Sequence, residues 1–361
     1  MPTPPKKILV IRTDRIGDLV LSTPVIRALR TAYPQAHIGV MVRPSNRELV
    51  EGNPDLDEVI LYDKDRQHKS WAASLQFARE LKKKNYDTSL ILHSTNRVIL
   101  VSFLAGIRRR IGYARRLGWL LTDSVPYVKR EGQKHELEYN LDLLKKLGID
   151  SKERRLFVPV QPRHEEKIDR FLLHEGIHPK VHPIVVIHPG ASCPSKRWPI
   201  QRFAAVADRL IERHHAGVVV VTGPEEVETG KEMIRRMARQ PAAALGTLGL
   251  GELACLLKRA RCLLSNDSGP VHIGCAVGTP VVSIFGRWGG GLSPTRWGPT
   301  GENSIVLHQD VGCRPCLAHN CTIGFACLKA VSLKRVQTAV EYAAGFKNVR
   351  PQDATIEIDE E

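Results

Sequence analysis

Short apolar runs alternate with amphipathic stretches along this chain, and the alternation occurs twice. In the first half, runs at 8–11, 37–42, 58–61 and 88–92 have the length of buried strands. Strands that alternate with helices favour a parallel sheet wound on both faces. The predicted helices of this half are 71–84, 134–147 and one that begins at Ser22-Thr-Pro24. The first half therefore predicts one Rossmann-like domain.

The second half repeats the pattern without repeating the sequence. Its predicted strands are 184–187, 218–221, 262–264 and 281–285, and its predicted helices are 200–214, 227–237 and 252–258. A proline-rich stretch with one short helix at 164–174 lies between the halves. We expect a first domain at 1–160, a linker at 161–183, a second domain at 184–348 and an acidic tail at 349–361.

The charge of the chain is strongly positive and unevenly distributed. Its 361 residues carry a formal net charge of +15, and residues 1–150 hold 26 Lys and Arg against 17 Asp and Glu. The length and the ordinary apolar fraction fit two separate cores. The first apolar run is too short for a signal peptide, and the run at 98–107 is too short to span a bilayer. We therefore expect a cytoplasmic protein.

The densest basic patch consists of arginines in the first half. Its members are Arg108, Arg109, Arg110, Arg115 and Arg116. A solvated basic face is one interpretation, and contact with an anion or a membrane surface is the other. No helix-turn-helix, zinc-finger or RNA-recognition motif accompanies the charge, so we expect no nucleic-acid partner.

Two carboxylates follow the first strand. Asp14 and Asp18 lie in the segment RTDRIGD, at the edge where an open α/β sheet places its ligands. Its single glycine, Gly17, does not make the G-x-G-x-x-G of dinucleotide sites, so a nicotinamide or flavin cofactor loses support. We expect Gly17 to give the backbone the freedom to present Asp18. A helix cap or a solvated charge is the alternative for each carboxylate.

Two loops of the second half carry groups that suit a nucleotide diphosphate. The segment from His188 to Ser192 follows a strand and precedes Lys196 and Arg197, which supply positive charge. The next strand ends in GPEEVE at 223–228, where a carboxylate is able to accept hydrogen bonds from ribose hydroxyls. Together these loops predict a nucleotide site.

A third loop has the sequence SNDSGPVH, between an apolar strand and a helix of small residues. Asp267 or Ser268 can cap the helix, Gly269 allows close approach, and Pro270 suits the first turn. The N–H groups at such a helix end attract a phosphate. An ordinary capped turn is the alternative when the segment is taken alone.

Four segments together resemble glycosyltransferase family 9, the ADP-heptose:lipopolysaccharide heptosyltransferases. They are Gly17-Asp18, the segment from HPG to KRWP at 188–199, GPEEVE at 223–228 and SNDSGPVH at 265–272, in the family's order and spacing. The resemblance covers nearly the whole chain. It implies a GT-B fold, in which two Rossmann-like doubly wound domains face a central cleft.

Family roles carry over where positions match. By this resemblance Asp18 is the general base, and Lys196 stabilises the departing diphosphate. The implied donor-binding residues are Ser192, Lys196, Glu228, Asp267, Ser268, Gly269 and His272, with Glu225 and Glu226 as alternatives to Glu228. The implied reaction is transfer of heptose from ADP-L-glycero-D-manno-heptose, with inversion and without a catalytic metal or other required cofactor.

The resemblance also implies an acceptor, the growing phosphorylated lipid A-core at the cytoplasmic face of the inner membrane. Anionic lipid and acceptor phosphates would be drawn to the arginines at 108–116, so we expect peripheral membrane association and a monomer. Heptosyltransferase II is the favoured subgroup. The alternatives are heptosyltransferase I or III, a family 9 enzyme with another nucleotide sugar, a nucleotide-sugar epimerase and a non-catalytic nucleotide-sugar-binding module.

Four of the eight cysteines lie close together in the sequence. They are Cys313, Cys316, Cys321 and Cys327. This spacing suits a structural zinc, although it lacks paired C-x2-C knuckles. Reduced or redox-active thiols are the alternative in a cytoplasmic chain. Similar clusters occur in family members that resemble heptosyltransferase II.

Overall fold

The computed structural model describes residues 4–178, 181–246 and 248–348, and the chain divides into two units between Pro159 and Val160. In these residues each unit has one parallel sheet of six strands. Numbered along each unit, the strands lie in the order 3-2-1-4-5-6 in both sheets. This is the doubly wound order of Rossmann-like domains, so the predicted α/β fold is confirmed.

The first unit contains strands β1 to β6 and helices α1 to α5. The strands are Lys7–Ile11, His37–Val42, Glu58–Leu61, Thr88–Ile91, Arg109–Tyr113 and Asp123–Val125. The helices are Ile16–Val20, Thr23–Ala32, Trp71–Lys83, Asn96–Leu104 and Glu136–Asp142. Short 3-10 helices lie at Pro44–Leu49, Gly118–Leu120, Lys129–Glu131 and Leu143–Leu147.

The second unit contains strands β7 to β12 and helices α6 to α13. The strands are Ile184–His188, Gly217–Val221, Ala243–Leu245, Cys262–Asn266, Val281–Phe285 and Ile305–His308. The helices are Pro162–His174, Ile200–His214, Val227–Arg236, Leu250–Arg259, Gly269–Ala276, Pro294–Trp297, Ala326–Lys329 and Leu333–Ala343. Short 3-10 helices lie at Pro194–Lys196, Pro224–Glu226, Gly290–Leu292 and Ala318–Asn320.

The central strands of both sheets are buried on both faces. In the first unit β1 lies between β2 and β4, with Val10 opposite Val40 and Leu90. In the second unit β7 lies between β8 and β10, with Ile187 opposite Val220 and Leu264. Helices from both sides cover these apolar strands, as a parallel sheet requires. The strand order reverses beside β1 and β7, and a doubly wound sheet binds its ligands at this point.

The segment predicted as a linker at 161–183 contains α6, which packs against α9 of the second unit. Arg259 Nη2 lies 2.7 Å from Asp169 Oδ2, and Lys258 pairs with Glu165. A Cβ atom at Gly251 would lie 2.2 Å from the His164 ring, so a glycine lets the two helices approach this closely. These contacts assign the segment to the second unit. The acidic tail predicted at 349–361 lies outside the described residues.

Several elements differ from the predictions. The helix expected at 134–147 is α only from Glu136 to Asp142 and continues as a 3-10 helix. The sequence does not predict strands β5, β6, β9 and β12. Charged residues interrupt the apolar pattern of β5 and β6, and β9 and β12 are only three and four residues long. Within the described part of the chain, no helix is both long and apolar enough to cross a membrane.

Candidate active site

Asp18 lies beside a buried arginine at the carboxyl end of β1. Arg12 follows the last residue of this strand and is 2% exposed. Its Nε donates to Asp14 Oδ1 at 2.8 Å, and its Nη2 donates to Asp18 Oδ1. The Asp18 carbonyl oxygen accepts a hydrogen bond from Ser22 Oγ at 2.7 Å. Side chain and backbone of Asp18 are therefore both held in place.

The same guanidinium binds residues that lie far along the chain. Nη1 and Nη2 of Arg12 each lie 3.2 Å from Glu136 Oε1, and Nη1 lies 3.1 Å from Asn140 Oδ1. Lys129 Nζ donates to these two oxygen atoms at 2.6 Å and 3.2 Å. Arg12 therefore connects Asp18 to a buried ion cluster that α5 and the preceding 3-10 helix complete.

Burial and nearby carboxylates raise the pKa of Asp18. Burial disfavours its ionised carboxylate, Asp14 and Glu136 add like charge, and Arg12 opposes them. Together they raise the pKa of Asp18 to about 6 from its ordinary value of 3.8. Such a carboxyl is mainly ionised at neutral pH and binds a proton more strongly than an ordinary aspartate, as a general base needs to do.

His93 is a further titratable group at this end of the sheet. It follows β4, and its Nδ1 lies 3.7 Å from Asp14 Oδ2. Burial and the positive charge of Arg12 lower the pKa of His93 to about 4. The imidazole is therefore neutral at neutral pH and adds no positive charge beside Asp18.

Gly17 does not have the role that the sequence suggested. It is buried inside α1, and its backbone is not in the left-handed region. The prediction that its backbone freedom presents Asp18 is therefore wrong. The position of Asp18 follows from the turn of α1 and from its ion pair with Arg12.

In the second unit, one asparagine ties the loop after β7 to the end of β10. Asn266 Nδ2 donates to the Pro189 carbonyl oxygen at 2.7 Å, and Asn266 Oδ1 accepts from the Trp198 backbone N–H at 3.0 Å. Trp198 is buried, and its Nε1 donates to the Val331 carbonyl oxygen at 3.0 Å. These bonds fix both ends of the segment that carries Lys196.

Two cations share one carboxylate at the end of β10. Asp267 Oδ2 lies 2.9 Å from Lys196 Nζ and 3.0 Å from Arg287 Nη2. The side chains of Lys196 and Arg287 are 11% and 7% exposed. Arg287 Nε has no hydrogen-bond partner among the described residues. This group has one positive charge in excess and an unused donor, an arrangement that suits an anionic ligand.

The surroundings of Lys196 also lower the pKa of its ammonium group. Burial lowers the pKa of Lys196, Asp267 raises it and Arg287 lowers it, with a net decrease. An anion that approaches both cations would reverse this effect, because it stabilises the charged ammonium. Lys196 is therefore placed to gain from a phosphate ligand.

Helix α10 begins beside this cationic group. It starts at Gly269 with Pro270 in its first turn, as the sequence predicts. The side chain of Ser268 does not cap the helix, because its Oγ lies 2.8 Å from Ser265 Oγ and 3.3 Å from His188 Nδ1. Asp267 binds the two cations instead. The expectation of a side-chain cap is therefore wrong, and the first turn of α10 favours an anion.

Glu226, rather than Glu228, reaches the loop after β7. Glu226 Oε2 lies 3.3 Å from His188 Nε2, and a Cβ atom at Gly190 would lie 2.2 Å from the same oxygen. Gly190 therefore permits the close approach. Glu228 is 76% exposed on α8, where it pairs with Lys231. The structure does not bring Glu228 to the other predicted donor residues.

The remaining predicted donor residues lie on the same loops and helix. Ser192 is exposed after β7, and His272 is buried in α10. Arg197 donates from Nε to the Ala191 carbonyl oxygen at 3.0 Å, so it braces its own loop. Arg287, which follows β11, is the second cation beside Lys196 instead of Arg197.

The predicted basic patch divides into two parts. Arg109 and Arg110 belong to β5 and are half-buried, with bonds to Asp123 and to backbone carbonyl oxygens. The expectation that all five arginines lie on a free surface is therefore wrong, because the side chains of Arg109 and Arg110 bond to other groups of the first unit. The exposed members are Arg108, Arg115 and Arg116.

The clustered cysteines contact the loop that carries Arg287. Each of the eight cysteines is a free thiol, and no group of His, Cys, Asp or Glu within the described ranges is placed to hold a metal ion. Cys327 Sγ donates to the Gly286 carbonyl oxygen at 2.8 Å, and Cys316 packs against Gly289. The thiols therefore support the loop that carries Arg287.

The structure adds four charged residues that the sequence did not single out. They are Arg12, Lys129, Glu136 and Arg287. Arg12 had a usable signal, since a charged residue that directly follows a buried strand faces the ligand edge of the sheet. The other three lie outside every recognised motif. Only the contacts between distant segments reveal them.

Both units have the Rossmann-like plan, with charged groups where the strand order reverses, and this is the plan of GT-B glycosyltransferases. The sequence model of glycosyltransferase family 9 (heptosyltransferase) matches residues 74–326. The chain belongs to this family and is a glycosyltransferase.

Named relatives and a solved structure agree with this assignment. The chain is 27% identical to lipopolysaccharide heptosyltransferase 2 of Escherichia coli K12, over 78% of this chain and 82% of the relative. It is 29% identical to lipopolysaccharide heptosyltransferase 3 of Escherichia coli, over 80% and 85%. A family 9 glycosyl transferase from Veillonella parvula matches with a TM-score of 0.84 and 26% identity, over 96% of this chain and 99% of that one.

Proposed function

We propose that this enzyme transfers heptose from ADP-heptose to the inner core of lipopolysaccharide. Family membership and the names of its relatives support the reaction class. The observation that carries the proposal is the buried group of Lys196, Arg287 and Asp267 at the start of α10, because its excess positive charge suits a diphosphate.

In this proposal the second unit binds the donor. Lys196, Arg287 and the first turn of α10 bind the diphosphate of ADP and stabilise the negative charge that grows on it as the sugar leaves. Glu226 accepts hydrogen bonds from the ribose hydroxyls. Its carboxylate suits this role, because the bond from His188 lowers the pKa of Glu226 and keeps it ionised.

In the same proposal Asp18 is the general base. An acceptor hydroxyl oxygen attacks the anomeric carbon of heptose, the bond from that carbon to the diphosphate oxygen breaks, and ADP leaves. The proton of the hydroxyl passes to the Asp18 carboxylate. Attack from the side opposite the leaving group inverts the anomeric centre. No metal has a part in this mechanism.

The direct test incubates the purified enzyme with ADP-heptose and a panel of truncated, phosphorylated core acceptors. Mass spectrometry of the acceptors should show the addition of one heptose, and ADP should appear in equal amount. An Asp18→Asn variant should bind ADP and transfer heptose about a thousandfold more slowly. Full transfer by this variant would contradict the role of Asp18.

The same assay separates the alternatives. A change in the donor without any acceptor would indicate an epimerase, and binding of ADP-heptose without a product on any acceptor would indicate a binding module. We favour the heptosyltransferase II reaction. The acceptor that the enzyme uses in this panel distinguishes it from heptosyltransferases I and III.

The proposal includes peripheral association with the cytoplasmic face of the inner membrane. Three arginines of this region are exposed, namely Arg108, Arg115 and Arg116. Two aromatic residues near them in the sequence are also exposed, Trp119 by 77% and Phe103 by 45%. Arginines attract anionic lipid headgroups, and exposed aromatic rings suit the interface of a bilayer. We therefore propose that this part of the first unit contacts the membrane.

Co-sedimentation with vesicles tests the membrane contact independently of the reaction. The protein should bind vesicles that contain phosphatidylglycerol and should not bind purely phosphatidylcholine vesicles. Replacing Arg108, Arg115 and Arg116 by glutamate should abolish this binding, while replacing exposed Arg239, Arg314 and Arg335 of the second unit should not. Equal binding by both triple variants would contradict the assignment.

A further inference from the structure

We infer that Glu136 and Lys129 are positioning residues for the transfer reaction, which act on Asp18 through Arg12. The inference rests on the proposed role of Asp18. Neither residue belongs to a recognised motif, and their positions lie more than a hundred residues beyond Asp18 in the sequence.

The contacts form one continuous chain from α5 to Asp18. Lys129 Nζ lies 2.6 Å from Glu136 Oε1, the same oxygen lies 3.2 Å from Arg12 Nη2, and Nη2 in turn donates to Asp18 Oδ1. Lys129 is 3% exposed, Glu136 is 1% and Arg12 is 2%. In such surroundings charges are weakly screened, so a change at one end reaches the other.

Local structure places both distant residues where they act. Glu136 is the first residue of α5, where a capping box between His135 and Glu138 fixes the start of the helix. The Lys129 ammonium lies 4.6 Å from the centre of the Tyr113 ring and 5.9 Å from that of Tyr139, which stabilises a buried cation. Both charges therefore have defined positions.

One nitrogen atom of Arg12 is shared between two carboxylates. Nη2 of Arg12 binds both Glu136 and Asp18, so the attraction of Glu136 limits how strongly the guanidinium stabilises ionised Asp18. Lys129 in turn balances Glu136. Without Glu136, Arg12 would stabilise ionised Asp18 more strongly, and without Lys129 the negative charge of Glu136 would act on Asp18 more strongly.

Other charged groups near Asp18 are accounted for. Asp14 shares Arg12 and raises the pKa of Asp18, and His93 is neutral at neutral pH. On the 3-10 helix that packs against α1, Arg47 pairs with Glu51. Neither of the proposed substitutions changes these groups.

The test measures the rate of heptose transfer against pH for the wild type and two variants. The acidic limb of kcat/KM should lie near pH 6 in the wild type. Glu136→Gln keeps the shape of the side chain and removes its charge, so the limb should move to lower pH by about one unit. Lys129→Gln should move the limb to higher pH by a similar amount.

The opposite signs separate positioning from a structural role. A variant that merely loosened the fold would lower the rate at every pH and would leave the limb in place. Matched controls on the same elements are Asp142→Asn on α5, where Asp142 pairs with two lysines, and exposed Arg130→Gln beside Lys129. Neither control should move the limb.

The outcomes also separate this inference from the proposed function. If Asp18→Asn retains full transfer, Asp18 is not the base and the proposed mechanism fails. If Asp18→Asn is slowed by the expected factor but the limb stays in place or moves in the same direction for both variants, the mechanism stands and the inference is overturned. Where the transfer rate of a variant is too low to follow against pH, NMR gives the pKa of Asp18 directly. The carboxyl resonance of Asp18, assigned by its loss in Asp18→Asn, should titrate at lower pH in Glu136→Gln and at higher pH in Lys129→Gln.

Discussion

Each unit has a buried ion cluster where the strand order of its sheet reverses, and the net charges of the two clusters have opposite signs. The cluster of the first unit has two cations, Arg12 and Lys129, and three carboxylates. The cluster of the second unit has two cations, Lys196 and Arg287, and one carboxylate. A surplus of acid raises the pKa of a carboxyl group, whereas a surplus of base binds an anion.

The comparison explains how one architecture supports two tasks. In both sheets the ligand edge lies where the strand order reverses, so topology fixes the place and leaves the chemistry open. The first unit places Asp18 among other carboxylates, which suits proton transfer. The second unit places Asp267 between two cations, so this carboxylate acts as a counter-ion.

The largest expected effect is that of Asp18→Asn. It should lower kcat by about a thousandfold, because the amide does not accept the proton of the acceptor hydroxyl. ADP affinity should be unchanged, since the groups proposed to bind ADP belong to the second unit. Transfer assays and calorimetric titration with ADP measure the two effects. Weaker ADP binding by this variant would show that the division of tasks between the units is wrong.

Asp18→Asn should also raise stability above the pKa of Asp18. The folded state holds this carboxyl at a pKa of about 6, well above its ordinary value of 3.8. Ionisation of Asp18 therefore lowers the free energy of unfolding of the wild type. This loss is absent at low pH and is complete once the pH has risen through 6. The difference corresponds to about 3 kcal/mol at pH 8. Denaturant unfolding of both proteins should show the asparagine variant more stable at pH 8 and equal below pH 4. Equal stability at both pH values would contradict an acid-rich cluster.

Lys196→Met should have the next largest effect on kcat. Loss of the ammonium beside the diphosphate should lower kcat by about a hundredfold, because the charge grows on the leaving group in the transition state. Lys231→Met is the matched control, since that lysine is exposed and pairs only with Glu228 among the bonds described. Single-turnover rates at saturating donor measure the effect. An equal loss in both variants would argue against a specific role.

Arg287→Gln should weaken ADP binding by about tenfold, which corresponds to about 1.4 kcal/mol. The loss should appear for ADP and not for adenosine, because the guanidinium is proposed to bind the diphosphate alone. Arg314→Gln serves as control, since Arg314 is exposed and pairs with Asp310. Equal losses for ADP and adenosine would assign Arg287 a structural role in its loop.

The clusters also show which parts of a site a sequence reveals. Asp18, Lys196 and Asp267 lie in the segments that connect buried strands to the next long helix, and strand ends are visible as the ends of apolar runs. The same signal predicted most strands of both sheets. It fails for β5, where Arg109 and Arg110 interrupt the apolar pattern, so the sequence does not distinguish these two internally bonded arginines from the exposed ones.

The sequence does not show which cluster is completed by a residue from another element. Glu136 begins α5 and Arg287 follows β11, and neither spacing nor composition relates them to Asp18 or Lys196. Their roles depend on register between distant segments, which the sequence does not display. The sequence also did not separate Glu226 from Glu228, because two residues of difference turn a side chain from the 3-10 helix Pro224–Glu226 to the exposed face of α8.

The smallest expected effect separates these two glutamates. Glu226→Gln should weaken both adenosine and ADP binding by about threefold to tenfold, because a neutral amide accepts ribose hydrogen bonds less well than a carboxylate. Glu228→Gln should leave both affinities unchanged, since that side chain is 76% exposed and pairs with Lys231. Glu226→Gln should therefore weaken adenosine binding as well as ADP binding, whereas Arg287→Gln should weaken ADP binding alone. A loss for ADP alone in Glu226→Gln would show that this carboxylate acts on the diphosphate through His188 rather than on the ribose.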